Sequence, residues 1–215
     1  MDRPGYGLSE PISFGTQRQN ISREIEENTF MGWNLTRFAQ LLSKSNPTAL
    51  EFLNGNLQYR DGDDRWEELR QYANQQFKPI AMMGHYHSLA KANYNKYIVD
   101  GNDPTVKRHL YVIRALLYKQ WVAETHQFPP LDFVAFLDDH MRSVAFEREN
   151  GELDVTWTAR RYAQEKKQGR GGNELGNPLQ DWIETELDRG PDPEFHDIRG
   201  IKTGRVNRFV EWFFD

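Results

Sequence analysis

Residues 105–124 read TVKRHLYVIRALLYKQWVAE, and their periodicity decides the fold. Val106, Leu110, Ile113 and Leu117 recur at steps of four, three and four, the spacing that lines side chains along one stripe of an α-helix. No glycine or proline interrupts the run, while Gly101-Asn102-Asp103-Pro104 precedes it and Phe128-Pro129-Pro130 stops it. The same period extends outward. Upstream it predicts helices over residues 35–45, 48–53, 66–77 and 80–98, punctuated by Ser45-Asn46-Pro47, the polar turn Asp61-Gly62-Asp63-Asp64, and Lys78-Pro79. Asn34 suits the N-cap of the first helix, and Asn46-Pro47 starts the second. Downstream it predicts helices over residues 131–141, 155–167, 178–187 and 206–214, with a Gly-rich loop at residues 168–173. The first thirty residues differ: they hold one alternating run, Ile21-Ser22-Arg23-Glu24-Ile25-Glu26, that suits a strand. A lone strand leaves its edges unpaired, and the other candidate partner is Leu57-Gln58-Tyr59-Arg60. The expected fold is mainly α, a helical bundle with a remnant of one or two β-strands near the N-terminus.

Composition narrows the class. The 215 residues are 38% hydrophobic and 13% aromatic, enough to bury a core despite 27% charged residues. With no cysteine, disulfide frameworks and thiolate chemistry are excluded. The formal net charge of -5 argues against broad adhesion to nucleic acid, so any phosphate contact must be focal. The start, Met1-Asp2-Arg3-Pro4-Gly5, lacks the basic and apolar segments of a signal peptide, and no run approaches eighteen apolar residues. Those features predict a cytoplasmic protein without a membrane partner.

The candidate site lies on the same helix. Lys107, Tyr111, Arg114 and Tyr118 follow steps of four, three and four and so share a face that is basic and aromatic together. A lysine as a point charge and an arginine as a planar fork can hold a triphosphate between them, with a tyrosine stacking or donating. The plain alternative is that these are amphipathic side chains snorkelling from the core. No metal motif emerges. His85 and His87 are two apart, which on a helix points them to different faces, and His109, His126, His140 and His196 are dispersed.

Taken together, several segments resemble the RlaP-like nucleotidyltransferases of the DNA polymerase beta superfamily: Gly32-Trp33-Asn34-Leu35, Asn46-Pro47 through Leu53, Tyr59, Lys78-Pro79 with Ala90-Lys91-Ala92-Asn93-Tyr94, and Lys107 through Arg114 with Trp121. The resemblance covers roughly residues 1–139 and is loose beyond. It implies a small mixed sheet joined to a helical bundle, making this chain the C-terminal part of an α+β nucleotidyltransferase. Residues 1–33 would be a remnant of the sheet and residues 34–215 the helical domain. It implies transfer of a nucleoside monophosphate from a magnesium-bound nucleoside triphosphate to an acceptor, with RNA suggested by analogy. With that chemistry, the basic-aromatic face of the long helix is expected to bind the nucleotide, Lys107 and Arg114 contacting the triphosphate and Tyr111 helping to position it.

The chain departs from that pattern where such enzymes place a phosphate-gripping Gly-Ser turn and two alternating aspartates that hold magnesium. Before Gly32 the single aspartate is Asp2. Glu24, Glu26 and Glu27 are acidic, either as a third carboxylate or as a solvated strand face. Two explanations are open. The catalytic segment lies upstream of a truncated start, or residues 6–16 are its decayed form, with Phe14 and Thr16 where aspartates belong. The second leaves few residues for the missing strands at about 3.3 Å per strand residue. Enzyme or non-catalytic nucleotide-, RNA- or protein-binding module are the competing expectations. A third reading has Val210-Glu211-Trp212-Phe213-Phe214 docking on another chain.

Overall fold

The computed structural model describes residues 20–25, 28–55, 64–100, 105–141, 144–148, 151–169, 179–191 and 199–212. The chain is mainly α, and the described strands form two antiparallel hairpins. By packing it divides into two units, Met1–Phe77 with Gly200–Asp215, and Lys78–Arg199. The boundary expected after Trp33 therefore falls inside the first unit, which also takes the last helix.

In the first unit, β1 (Asn20–Ile25) pairs with β2 (Asn28–Trp33), Asn20 opposite Trp33 and Ile25 opposite Asn28. The strand expected to stand almost alone thus has an immediate partner. The other candidate, Leu57-Gln58-Tyr59-Arg60, lies outside the described residues. Asn28 and Gly32, residue types depleted in strands, hide the β character that Thr29, Phe30 and Trp33 carry. The hairpin delivers Trp33 against Phe52, ring centroids 4.8 Å apart.

Helix α1 (Leu35–Ser43) begins where Asn34 Oδ1 accepts the Arg37 N–H at 2.7 Å, and α2 (Pro47–Leu53) begins where Asn46 Oδ1 accepts the Ala49 N–H at 3.1 Å. Between them Ser45 takes a positive φ of 55° at the centre of a three-residue connection, Lys44 to Asn46. Each cap satisfies a leading N–H that the helix itself cannot. Asn46→Ala is accordingly expected to destabilise the first unit by about 1 kcal/mol, read as a lowered denaturation midpoint; an unchanged midpoint would remove the cap from the account. Helix α3 (Asp64–Gln76) is tied to the end of α2 by a reciprocal amide pair, Asn54 to Asn74 at 3.0 Å and Asn74 to Asn54 at 2.7 Å. The last helix, α9 (Thr203–Trp212), returns to pack on α1 and α3. There Trp66 sits edge-on between Phe38 and Phe209, with centroids at 5.8 and 4.9 Å. Leu42, Ala49, Leu50, Ala73, Phe77 and Val206 are fully buried behind them.

The second unit is built around α5 (Val106–Thr125). Helix α4 (Pro79–Tyr94), continued by a π-helical turn Asn95–Val99, packs along it. Helices α7 (Val155–Lys167) and α8 (Gln180–Arg189) cover further sides. Neighbours on several sides explain why α5 buries far more than the expected stripe: Val112, Leu116, Tyr118, Lys119 and Val122 are buried along with Val106, Leu110, Ile113 and Leu117. Its end is set by His126, whose φ of 57° is left-handed and whose N–H reaches the Val122 carbonyl at 3.0 Å.

The helix expected over residues 131–141 is shorter and differently wound. Asp132 caps α6 (Phe133–Ala135), accepting from the Val134 and Ala135 N–H groups at 2.9 and 3.1 Å. A π-helical turn, Phe136–His140, follows, closed by the Met141 N–H on the Phe136 carbonyl at 2.9 Å. A hairpin that the helical periodicity does not anticipate, β3 (Ala145–Arg148) with β4 (Gly151–Asp154), feeds directly into α7, where Asp154 accepts the Trp157 N–H at 2.8 Å. Residues 170–178, which include much of the expected Gly-rich loop, lie outside the described set. Among the described residues no helix is long and apolar enough to cross a membrane.

Candidate functional site

Along α5 the three residues assigned to nucleotide binding do share a side of the helix: Lys107 is exposed, and Tyr111 and Arg114 are half-buried. Tyr118, expected to extend that face, does not join it. It is 2% exposed and its hydroxyl donates to the Pro130 carbonyl at 2.7 Å. Its ring meets those of Tyr86, Phe133 and Phe136, with centroids at 5.4, 5.9 and 5.0 Å. The aromatic end of the face is therefore core, and the Arg114 guanidinium, 6.0 Å from the Tyr118 centroid, lies at the outer limit of cation–π contact. Neither Lys107 nor Arg114 meets a carboxylate within 4.0 Å among the described residues.

The start of α5 is more basic than the sequence alone suggested. Arg108 lies over the Tyr97 ring at 3.8 Å, and Lys96 approaches the same ring at 5.0 Å. Arg108 is thereby committed, while the neighbouring Lys107 faces solvent. His109 turns inward instead: it is 2% exposed, its Nδ1 is 2.9 Å from the Thr105 carbonyl, and burial holds its pKa below the ordinary value.

Other ionisable groups of this unit are engaged in holding helices together. Lys119 and Glu186 form a buried ion pair at 3.2 Å. Tyr94 donates to Glu184 at 2.5 Å; burial and then this carboxylate push the phenol well above its usual range. The bonds from Tyr94 and Gln180 in turn hold the Glu184 carboxyl below its usual range. His85 and His87, on α4, are both held low by burial, His87 also by Lys119 and Lys91. Among the described residues no three His, Asp or Glu side chains gather as a metal site. Of the acidic residues considered for a third carboxylate, Glu24 is exposed on β1, and Glu26 and Glu27 lie outside the described set. The described donor set does not fit a magnesium pair.

In the first unit the structure assembles something that no sequence spacing had singled out. Tyr72, Gln76, Lys202, Gly204, Arg205 and Arg208 line an open groove of about 710 Å³ between α3 and α9. A second hollow of about 260 Å³ shares Tyr72, Arg205 and Arg208 and runs on to Trp212. Tyr72 organises the join, accepting the Lys202 N–H at 2.9 Å while Arg205 sits 4.9 Å from its ring centroid. The three-residue spacing of Lys202, Arg205 and Arg208 was the available signal, but only the packing of α9 on α3 brings Tyr72 to it.

In the described residues the β1–β2 hairpin is followed by helices, and the side of α5 that carries Lys107 and Arg114 is basic. The chain belongs to the RlaP family, the RNA repair pathway DNA polymerase beta family, whose model matches residues 8–210. It is similar to the uncharacterized protein YcgL of Bacillus subtilis (strain 168), 31% identical over 163 residues that make up 74% of this chain. The chain spans 58% of that relative's length. No solved structure matches.

Proposed function

We propose that this chain supplies the helical, nucleotide-binding part of a magnesium-dependent nucleotidyltransferase that passes a nucleoside monophosphate from a nucleoside triphosphate to an acceptor, in the cytoplasm. Family membership supports the chemical class, and the family's description favours an RNA acceptor. The observation carrying the assignment to this chain is the side of α5 on which Lys107 and Arg114 stand two turns apart with no carboxylate partner among the described residues. Two uncompensated cations on one rigid helix suit a polyanion, which they neutralise without first giving up an internal ion pair. Tyr111, between them, fixes the ligand laterally. In this reading magnesium is held outside the described residues, so the role derived for these three residues is to bind and orient the triphosphate.

Titration calorimetry with each of the four nucleoside triphosphates, with and without magnesium, tests the reading. Lys107→Ala and Arg114→Ala should each weaken binding about tenfold, the loss of one charge-assisted hydrogen bond. Unchanged affinity in both variants would remove the assignment. Binding that is tight but indifferent to magnesium would instead favour a non-catalytic nucleotide-binding module.

A further inference from the structure

We infer that the groove between α3 and α9 is a binding site for single-stranded nucleic acid, gripping the phosphodiester backbone through Lys202, Arg205 and Arg208 and stacking a base on Trp212. The inference does not rest on the reading of α5, which belongs to the other unit.

Charge is the first argument. The residues lining the two joined hollows include four cations, Lys202, Arg205, Arg208 and Arg65, against one carboxylate, Glu68. A chain of net charge -5 concentrates positive charge here. Among the described residues the side chains of Lys202, Arg205 and Arg208 have no acidic partner, and all three are exposed. Lys202 and Arg205 also stand at the N-terminal end of α9, the positive end of the helix dipole, where cations are disfavoured. An anion bound there relieves both the mutual repulsion and the unfavourable dipole.

Shape selects the kind of anion. Lys202, Arg205, Arg208 and Trp212 follow steps of three, three and four and so share one side of α9. At 1.5 Å per residue they extend over about 15 Å, a length that matches about four stacked nucleotides at 3.4 Å each. The hollow is an open trough rather than a closed cavity, and nothing stands within 4 Å of where a Cβ on Gly204 would lie, so a chain can pass alongside the helix start. At the far end Trp212 is 48% exposed, with its carbonyl held by the Arg65 guanidinium at 2.7 Å. An exposed indole anchored through its backbone, at the end of a row of arginines, is the combination that single-strand binders use: phosphates along a basic track and a base on an aromatic face. A duplex keeps its bases stacked inside and offers none to Trp212.

The test is fluorescence anisotropy of a 5′-labelled ten-nucleotide single strand titrated with the intact chain across a salt series. The Arg205→Ala/Arg208→Ala double variant should bind at least tenfold more weakly. Its plot of log affinity against log salt should be shallower by about 1.4, at about 0.7 for each phosphate that is no longer neutralised. Trp212→Ala should bind at least fivefold more weakly with an unchanged slope, since stacking a base on an aromatic face releases no counterion. The double variant Lys166→Ala/Lys167→Ala, which removes two exposed lysines from α7 in the other unit, should bind within twofold of the parent. Circular dichroism confirms that each variant is folded. Three results would each overturn the inference: no binding by the parent at low salt, an Arg205/Arg208 variant as tight as the parent, or an equal loss in the lysine control. Displacement of the strand by tripolyphosphate at equal phosphate concentration would likewise replace an extended strand site with a simple anion site. Nucleoside triphosphate affinity measured on the same variants should not change, so failure here and failure of the α5 assignment are distinguishable.

Discussion

Glu186→Ala should be among the most destabilising single substitutions in the second unit, lowering its stability by about 3–5 kcal/mol. The reason is what the change leaves behind. The Lys119 and Glu186 side chains are 6% and 3% exposed and meet at 3.2 Å across α5 and α8. The Lys119 ammonium also donates to the Glu186 main-chain carbonyl at 2.8 Å, and the carboxylate takes a second cation, Arg189, at 2.6 Å. Alanine removes the carboxylate and strands a desolvated ammonium with one neutral acceptor. Arg189, 66% exposed, simply returns to water. Pairing, rather than charge itself, is what the site requires, so a Lys119→Met/Glu186→Leu double variant should recover most of the loss. Native-state hydrogen exchange on the α5 and α8 amides checks both, because it reports the opening of this unit alone. A Glu186→Ala protein whose α5 amides are as protected as the parent's would show that the pair contributes little.

How much of this was legible beforehand differs by element. The long helix was readable because its stripe is uninterrupted and its ends carry Pro and Gly signals. The Asn34 cap was readable because a cap is a local event, decided within three residues, and Asn46-Pro47 was readable as the start of the second helix, though not Asn46 as its cap. The breadth of burial on α5 was not, since a period reveals a stripe but not the number of helices that will surround it. Tyr118 and Lys119, next to the stripe, are carried inside by neighbours contributed from residues far along the chain. The β3–β4 hairpin had a usable signal in Asn150-Gly151 flanked by Phe146 and Leu153. It was masked by the strong helical pattern on either side. Of the candidate site, Lys107, Tyr111 and Arg114 were visible as a spacing, and the structure adds their exposure. The α3–α9 groove was invisible for a plainer reason: Tyr72 and Lys202 are 130 residues apart, and no local pattern links them.

Tyr118 separates a structural role from a functional one most sharply. Tyr118→Ala should cost the second unit about 3–5 kcal/mol, the usual loss for a fully buried aromatic side chain. The ring is surrounded edge-on by Tyr86, Phe133 and Phe136, and those contacts join α4 and α5 to the short α6 and the π-helical turn behind it. Phe133 and Phe136 stack on one another at 6.1 Å and have few ways to collapse into the space vacated. Removing the hydroxyl alone is a smaller insult. Tyr118→Phe keeps the ring, loses the 2.7 Å bond to the Pro130 carbonyl, and should cost about 1 kcal/mol. The two variants then divide the possibilities. If Tyr118 serves only the core, Tyr118→Phe binds nucleoside triphosphates as the parent does while melting slightly lower. If the residue instead donates to a bound nucleotide, as its place in the sequence spacing suggested, Tyr118→Phe loses affinity without a matching loss of stability, and the inward orientation described for it is wrong for the bound state. The packing favours the first outcome, because a hydroxyl already donating within the core must break that bond before it can reach a ligand.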